Sequence, residues 1–257
     1  MSKKNNSYLY WIIAVIPFIF AIVAIILYQP KVKKKLGRRD TRYDKYNVSL
    51  MNAHRDKVFG IDVSQYQGNI KWESIKLIHN EFPVGFIFIR ATMGALKKDT
   101  KFNKNWKGAL KQNKPFGAYH YFRPNENATK QAQNFIRTVK LRSGDLPPVL
   151  DIEEHPRNKS MAELKSELKI WLDLVEAHYK VKPIIYSSDK FFTHFLEKEF
   201  NGYPLWIANY NTWMKNPKEH WDIWQFSERG KVNGINGYVD LNIFHGNLSK
   251  LQTLTIK

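Results

Sequence analysis

Asp151 and Glu153 stand two residues apart at the end of an apolar run, Pro148-Val149-Leu150. On an extended strand, residues i and i+2 point to one face, so the two carboxyls project together and Ile152 packs behind them. Two carboxyls held side by side cannot both ionise freely, and one keeps its proton where an isolated carboxyl would have lost it. Cleaving a glycosidic bond needs that combination: an acid to protonate the leaving oxygen and an anion to stabilise an oxocarbenium-like transition state. A D-x-E pair alone is common, and the same residues could open a solvated loop, with Glu153 and Glu154 in water. The elements that position them decide between the two readings.

From Val58 onward, short apolar runs alternate with helical periodicity. Strands are expected at 58–63, 86–90, 115–122, 149–153, 183–187, 205–210, 222–226 and 238–240. Helices are expected at 72–79, 103–112, 126–141, 160–179 and 190–197. The helix over 160–179 carries a capping box, Ser160 with Glu163, ahead of a stripe of Leu164, Leu168, Trp171, Leu172 and Val175. Near-continuous apolar strands separated by helices form a parallel sheet buried on both faces. Eight of them predict an α/β fold of the (β/α) barrel type, with the last helices degenerate or missing and Gly230, Gly234 and Gly237 in the final turns.

Barrel chemistry sits at the C-terminal ends of the strands. The predicted strands end, in order, on Asp62, Arg90, Tyr119 with His120 and Tyr121, Asp151 with Glu153, Tyr186, Asn209 with Tyr210, Gln225 and Asp240. A barrel with only a structural purpose has no reason to end strand after strand on polar and aromatic groups. Asp62, Asp151, Glu153 and Asp240 are the candidate catalytic acids, with a turn-forming or capping role as the bland alternative for the three aspartates and a solvated surface position for Glu153. Tyr119, Tyr186, Trp206, Asn209 and Gln225 are candidates for holding a substrate, with core packing the competing role for Trp206. His120 reads as a hydrogen-bonded core histidine.

Other chemistries are disfavoured. There is no cysteine, hence no thiol nucleophile, disulfide or cysteine-held metal. The eight histidines show no metal-ligand spacing, so neither metal nor cofactor is expected. No nucleophile elbow or phosphate-binding loop occurs. The net charge of +18 favours an anionic partner, but no nucleic-acid motif accompanies it, and nucleic acid is not expected. A monomer is expected.

Ahead of the barrel, residues 1–7 form a short tail and residues 8–28 carry no charge. As a helix, 8–28 spans a hydrocarbon core of roughly 30 Å. Tyr8, Tyr10, Trp11 and Tyr28 would sit at its interfaces, and Pro17 would only kink it. An uncleaved transmembrane anchor is therefore expected, rather than a signal peptide. Residues 29–57 read as a basic juxtamembrane linker, and 58–257 as the barrel domain. Half of the net charge lies in residues 1–57, with 12 Lys+Arg against 3 Asp+Glu. The basic residues after the span would favour a cytoplasmic domain by the positive-inside rule. An extracytoplasmic domain is expected nonetheless, because long domains can translocate despite flanking charge and the activity implied by the resemblance described next calls for it.

Six segments in order, Gly60–Gln65, Gly117–Phe122, Leu150–Glu153, Leu205–Tyr210, Ile223–Gln225 and Val239–Asn242, resemble glycoside hydrolase family 25. The resemblance covers about residues 58 to 248. It implies a flattened (β/α) barrel and hydrolysis of the β-1,4 bond between N-acetylmuramic acid and N-acetylglucosamine in peptidoglycan. It implies Glu153 as general acid, Asp151 as its partner, and Asp62 and Asp240 as further acids of the groove. Attack by the sugar's own acetamido oxygen is one mechanism it implies; a carboxylate or a water as nucleophile remains open. Asn209 departs from the pattern, standing where some members carry a charged residue.

Overall fold

The computed structural model describes residues 41–257. The expected anchor, residues 8–28, lies outside them, and no described helix is long and apolar enough to cross a membrane. Eight strands build the sheet: β1 (Val58–Val63), β2 (Phe86–Met93), β3 (Phe116–Tyr121), β4 (Val149–Asp151), β5 (Ile184–Ser188), β6 (Leu205–Ala208), β7 (Ile223–Gly230) and β8 (Val239–Phe244). Neighbouring strands pair from β2 through to β8, β8 pairs with β1, and β1 pairs with β2, which closes a barrel. A two-residue strand, Lys97–Lys98, folds back on β2 outside the ring.

The strand runs are apolar throughout because both faces are covered. Inside the barrel, Phe86, Phe88, Val149, Ile184, Ile223 and Phe244 form one cluster. Their neighbours Ile87, Ile89, Leu150, Ile185 and Trp224 point outward into a larger cluster shared with the helices. Phe86 fills the interior beside Gly60, its partner in register. A Cβ at position 60 would lie 2.4 Å from the Phe86 ring, so only glycine fits there.

Helices α1 (Thr41–Ala53), α2 (Phe102–Leu110), α3 (Ala128–Thr138) and α4 (Met161–Tyr179) pack outside, and α3 lies against α4. The expected cap on α4 is present: the Ser160 side chain accepts from the Glu163 backbone N–H, and the Glu163 carboxylate accepts from the Ser160 N–H at 2.7 Å.

Three sequence expectations are corrected. The first concerns residues 72–79, which do not form a helix. One 3₁₀ turn, Trp72–Ser74, leads into a small hairpin of Leu77–Ile78 with Phe82–Pro83. His79 and Asn80 adopt positive φ of 49° and 61° in its turn, which ends any helical path.

The second concerns β8, which runs antiparallel to both β7 and β1. A parallel return needs a crossover of a dozen or so residues. The chain between Gly230 and Val239 is too short for one, so it returns as a hairpin. No crossover helix then covers that part of the barrel.

The third concerns the predicted linker, which is helical over Thr41–Ala53 and packs on β7, where the crossover helix is missing. Leu50 and Met51 are buried in the outer core. Asn47 donates to the Arg229 carbonyl at 3.2 Å, and the His54 ring bonds the Lys215 carbonyl at 2.8 Å. The folded unit therefore takes in α1 as well as the barrel. Met51→Ala should cost about 2 kcal/mol of unfolding free energy in urea titrations, the scale for emptying a closed core site. A change within a few tenths would mean that α1 is dispensable padding.

Candidate active site

One cleft of about 380 Å³ opens at the rim where the parallel strands end. Asp62, Tyr119, Asp151, Tyr186, Trp206 and Gln225 line it from the predicted strands, with Glu153 and Asp240 beside them. Asp62 is the penultimate residue of β1 and Asp151 the last of β4. Glu153 lies just past β4, but the alternation persists: Ile152 is fully buried in the outer core, and Glu153 turns to the cleft. Asp240 belongs to this rim for the opposite reason to the one expected. It lies at the start of β8, and because β8 is antiparallel its beginning meets the ends of the other strands, with Asp240 opposite Asp62 in register.

The four acids fall into two hydrogen-bonded pairs. Burial raises the Asp151 carboxyl well above the ordinary carboxylate range, and the neighbouring Glu153 charge raises it further. Glu153 is also raised, chiefly by desolvation, although its bond from Asp151 opposes this. It is exposed to the cleft, so the proton sits more firmly on the buried partner. One oxygen of Asp151, Oδ1, is buried and has no hydrogen-bond partner. In the second pair, desolvation pushes Asp62 up to about 6, although bonds from Asn242, Gln225 and Asp240 pull the other way. Asp240 is pushed up to about 9, first by burial and then by the Asp62 charge. Near neutral pH, Asp240 is the protonated donor and Asp62 the anion.

A network with fixed polarity holds that anion. Gln225 Nε2 and Asn242 Nδ2 donate to Asp62 Oδ2 at 2.8 and 2.9 Å. Gln225 Oε1 accepts from the Tyr186 hydroxyl at 2.7 Å and from that of Tyr210. Asn242 Oδ1 accepts from Trp206 Nε1 at 2.7 Å. With both amide oxygens occupied, both NH₂ groups must face Asp62. Gln225 is thus a buried positioning residue. Trp206 is only 2% exposed, with its ring stacked on Phe88 at 4.7 Å, so it forms the cleft floor and offers no open face to a sugar.

Asn209 is not brought into the cleft. Its amide donates to Asp189 Oδ2 at 2.8 Å, and its carbonyl oxygen accepts from Asn211. Tyr119 and Tyr186 do face the cleft, their hydroxyls pushed up by burial and stabilised in the neutral form. His120 is sealed in the core between Thr92 and Gln131, and burial holds it down to about 4, so it stays neutral.

Several groups of the site escaped the candidate set. Tyr66 is 78% exposed at the cleft edge and packs on the Arg90 guanidinium at 4.7 Å. Arg90 is itself tied to Asp99 at 3.0 Å. Asn242 lies two residues beyond Asp240, and that spacing could have identified it. Glu228 is a fifth carboxylate on the rim. Strict alternation from Gln225 would aim Ser227 inward and Glu228 away, but register shifts between Gln225 and Gly230 re-aim the strand.

A closed α/β barrel with paired carboxyls, tyrosines and an aromatic floor at its mouth has the architecture of a carbohydrate-cleaving enzyme. The chain belongs to glycosyl hydrolases family 25, whose family model matches residues 61–235. It is 41% identical to the Escherichia coli K12 protein YegX over 199 residues, covering 76% of this chain and 72% of that one. It is 33% identical to lysozyme M1 of Streptomyces globisporus over 218 residues, covering 79% and 72%. The solved structure of a family 25 glycosyl hydrolase from Bacillus anthracis superposes with a TM-score of 0.70 at 31% identity, covering 78% of this chain and 94% of that one.

Proposed function

We propose that this chain is a muramidase that hydrolyses the β-1,4 bond between N-acetylmuramic acid and N-acetylglucosamine in peptidoglycan. The observation that carries this reading is the Asp151–Glu153 pair: two carboxyls sharing a proton, one sunk in the barrel mouth and the other open to the cleft. Membership of the family and the likeness to a protein named as a lysozyme support the same substrate.

Of the four paired acids, Glu153 is the exposed one, open to the cleft where a glycosidic oxygen would lie. Transfer of the shared proton from Asp151 makes Glu153 the acid and leaves Asp151 anionic. As the C1–O bond breaks, Glu153 gives that proton to the departing sugar. The acetamido oxygen of the muramic residue attacks C1, forming an oxazolinium ion, and Asp151 Oδ1, otherwise unpartnered, accepts from the acetamido N–H. Glu153 then removes a proton from water as the water adds to C1, releasing a free reducing end with retained configuration. Asp151 is only 4% exposed, which favours this substrate-assisted route over its direct attack on C1. Asp62, with Asp240 as its neutral donor, places fixed negative charge beneath the developing cation.

The charge-free segment 8–28 supports a membrane-anchored protein whose barrel faces the cell wall from outside the membrane. Digestion of sacculi with the full-length chain, followed by mass analysis of the released muropeptides, tests the bond assignment. Muramic acid at every new reducing end is expected, and N-acetylglucosamine there would refute the reading.

A further inference from the structure

A second cavity, of about 240 Å³, adjoins the catalytic cleft and differs from it in chemistry. Tyr121 links the two: it lines the catalytic cleft, and its hydroxyl donates at 2.8 Å to Glu154, which lines the second cavity. Lys97, Arg123 and Arg157 line the second cavity, together with Met93, Asn125 and Glu154. Its carboxylates are already engaged. Glu154 takes two bonds from Arg123, at 2.9 and 3.2 Å, and Glu126, the other carboxylate of the lining, accepts from the Ala95 N–H at 2.6 Å. The Lys97 ammonium and the Arg157 guanidinium have no carboxylate partner among the described residues. The loop that carries Arg157 is anchored, since Asn125 Oδ1 accepts from the backbone N–H of Arg157 at 2.9 Å and of Asn158 at 3.1 Å.

The catalytic cleft is lined with carboxyls and tyrosines. The second cavity has no tyrosine or tryptophan and carries two uncommitted cations. A pyranose ring finds no stacking face there, whereas a flexible chain bearing carboxylates finds its counter-charges. Muramic acid carries such a chain, a peptide joined through its lactyl ether a few bonds from the scissile linkage. The anionic carboxylates of the cleft, Asp62 among them, would repel that peptide's carboxylates unless cations lay close by.

We propose that the cavity bounded by Lys97, Arg123 and Arg157 receives the anionic peptide stem of the muramic residue, making this enzyme selective for peptide-bearing glycan. The inference rests on the muramidase reading and adds the specificity of its substrate. The test uses the full chain on two soluble substrates: glycan strands with stems, and the same strands after an amidase has removed them. Wild-type enzyme should show roughly tenfold higher kcat/KM on stem-bearing strands, carried mainly by KM, the scale of two exposed charge-assisted contacts. The double variant Lys97→Ser/Arg157→Ser should lose that advantage while keeping its rate on bare strands within about twofold. Lys97→Arg/Arg157→Lys should restore it. Equal activity of wild type on both strands, or an equal loss by the variant on both, would overturn the inference. Failure of wild type to cut either strand would overturn the muramidase reading instead.

Discussion

Glu153→Gln should lower the release of reducing ends from purified peptidoglycan by about 10³-fold or more, through kcat, with the fold unchanged. Glutamine has nearly the same shape but no proton to give a leaving oxygen and no base for the incoming water, so both halves of the proposed reaction fail. Structural damage is not expected, because Glu153 is exposed and sits beyond the end of β4. The new amide can donate to Asp151 Oδ1, which otherwise has no partner. Thermal unfolding should therefore match wild type, and pull-down on sacculi should show unchanged binding. A variant that kept more than about a tenth of its activity would remove Glu153 from the acid role. The pH profile gives a second check. Reaction needs one proton on the pair, and burial raises both carboxyls, so activity should persist above the range where an ordinary glutamate has lost its proton. It should fall once the pair is stripped at alkaline pH.

The parts of this site that could be read from the sequence are those where side-chain direction follows simple alternation. Asp62, Asp151, Tyr119 and Tyr186 lie on parallel strands buried on both faces, and their inward aim follows from the count along each strand. The capping box before α4 was equally readable, because it is a local contact. Asp240 was found by an assumption that does not hold for β8, since the sequence pattern does not reveal strand direction. Glu228 was hidden by the irregular register of β7, which breaks the two-residue period. Asn209 was misplaced because strand β6 ends at Ala208 and the chain turns away. Helix α1 was missed for a different reason: its inner face mixes Leu50 and Met51 with Asn47, and His54 follows just past its end, both polar groups docking through hydrogen bonds to backbone carbonyls. Hydropathy periodicity does not register a face that packs partly through polar groups.

Asp240→Asn should make the protein more stable than wild type at alkaline pH, and no more stable in acid. Asp62 and Asp240 titrate near 6 and 9 in the folded protein, against an ordinary value near 3.8. Between those limits the folded state holds more protons than the unfolded chain, so stability is full below about pH 4 and declines as pH rises toward 9. This slope is opposite to that of a surface carboxylate in an ion pair. It reflects the cost of placing a second negative charge beside Asp62 in a cleft walled by protein. Asparagine removes that cost and can still donate to Asp62 through its amide, as the protonated carboxyl does. The full interval corresponds to several kcal/mol, but Asp240 opens partly to the cleft, and solvent there reduces the gain to the order of 2–3 kcal/mol near pH 8.5. Urea unfolding of both proteins at about pH 4.5 and about pH 8.5 measures the difference directly. Parallel curves, with the variant displaced equally at both pH values, would show that Asp240 ionises freely in the fold. Asp62 would then lack the neutral donor on which its single negative charge depends.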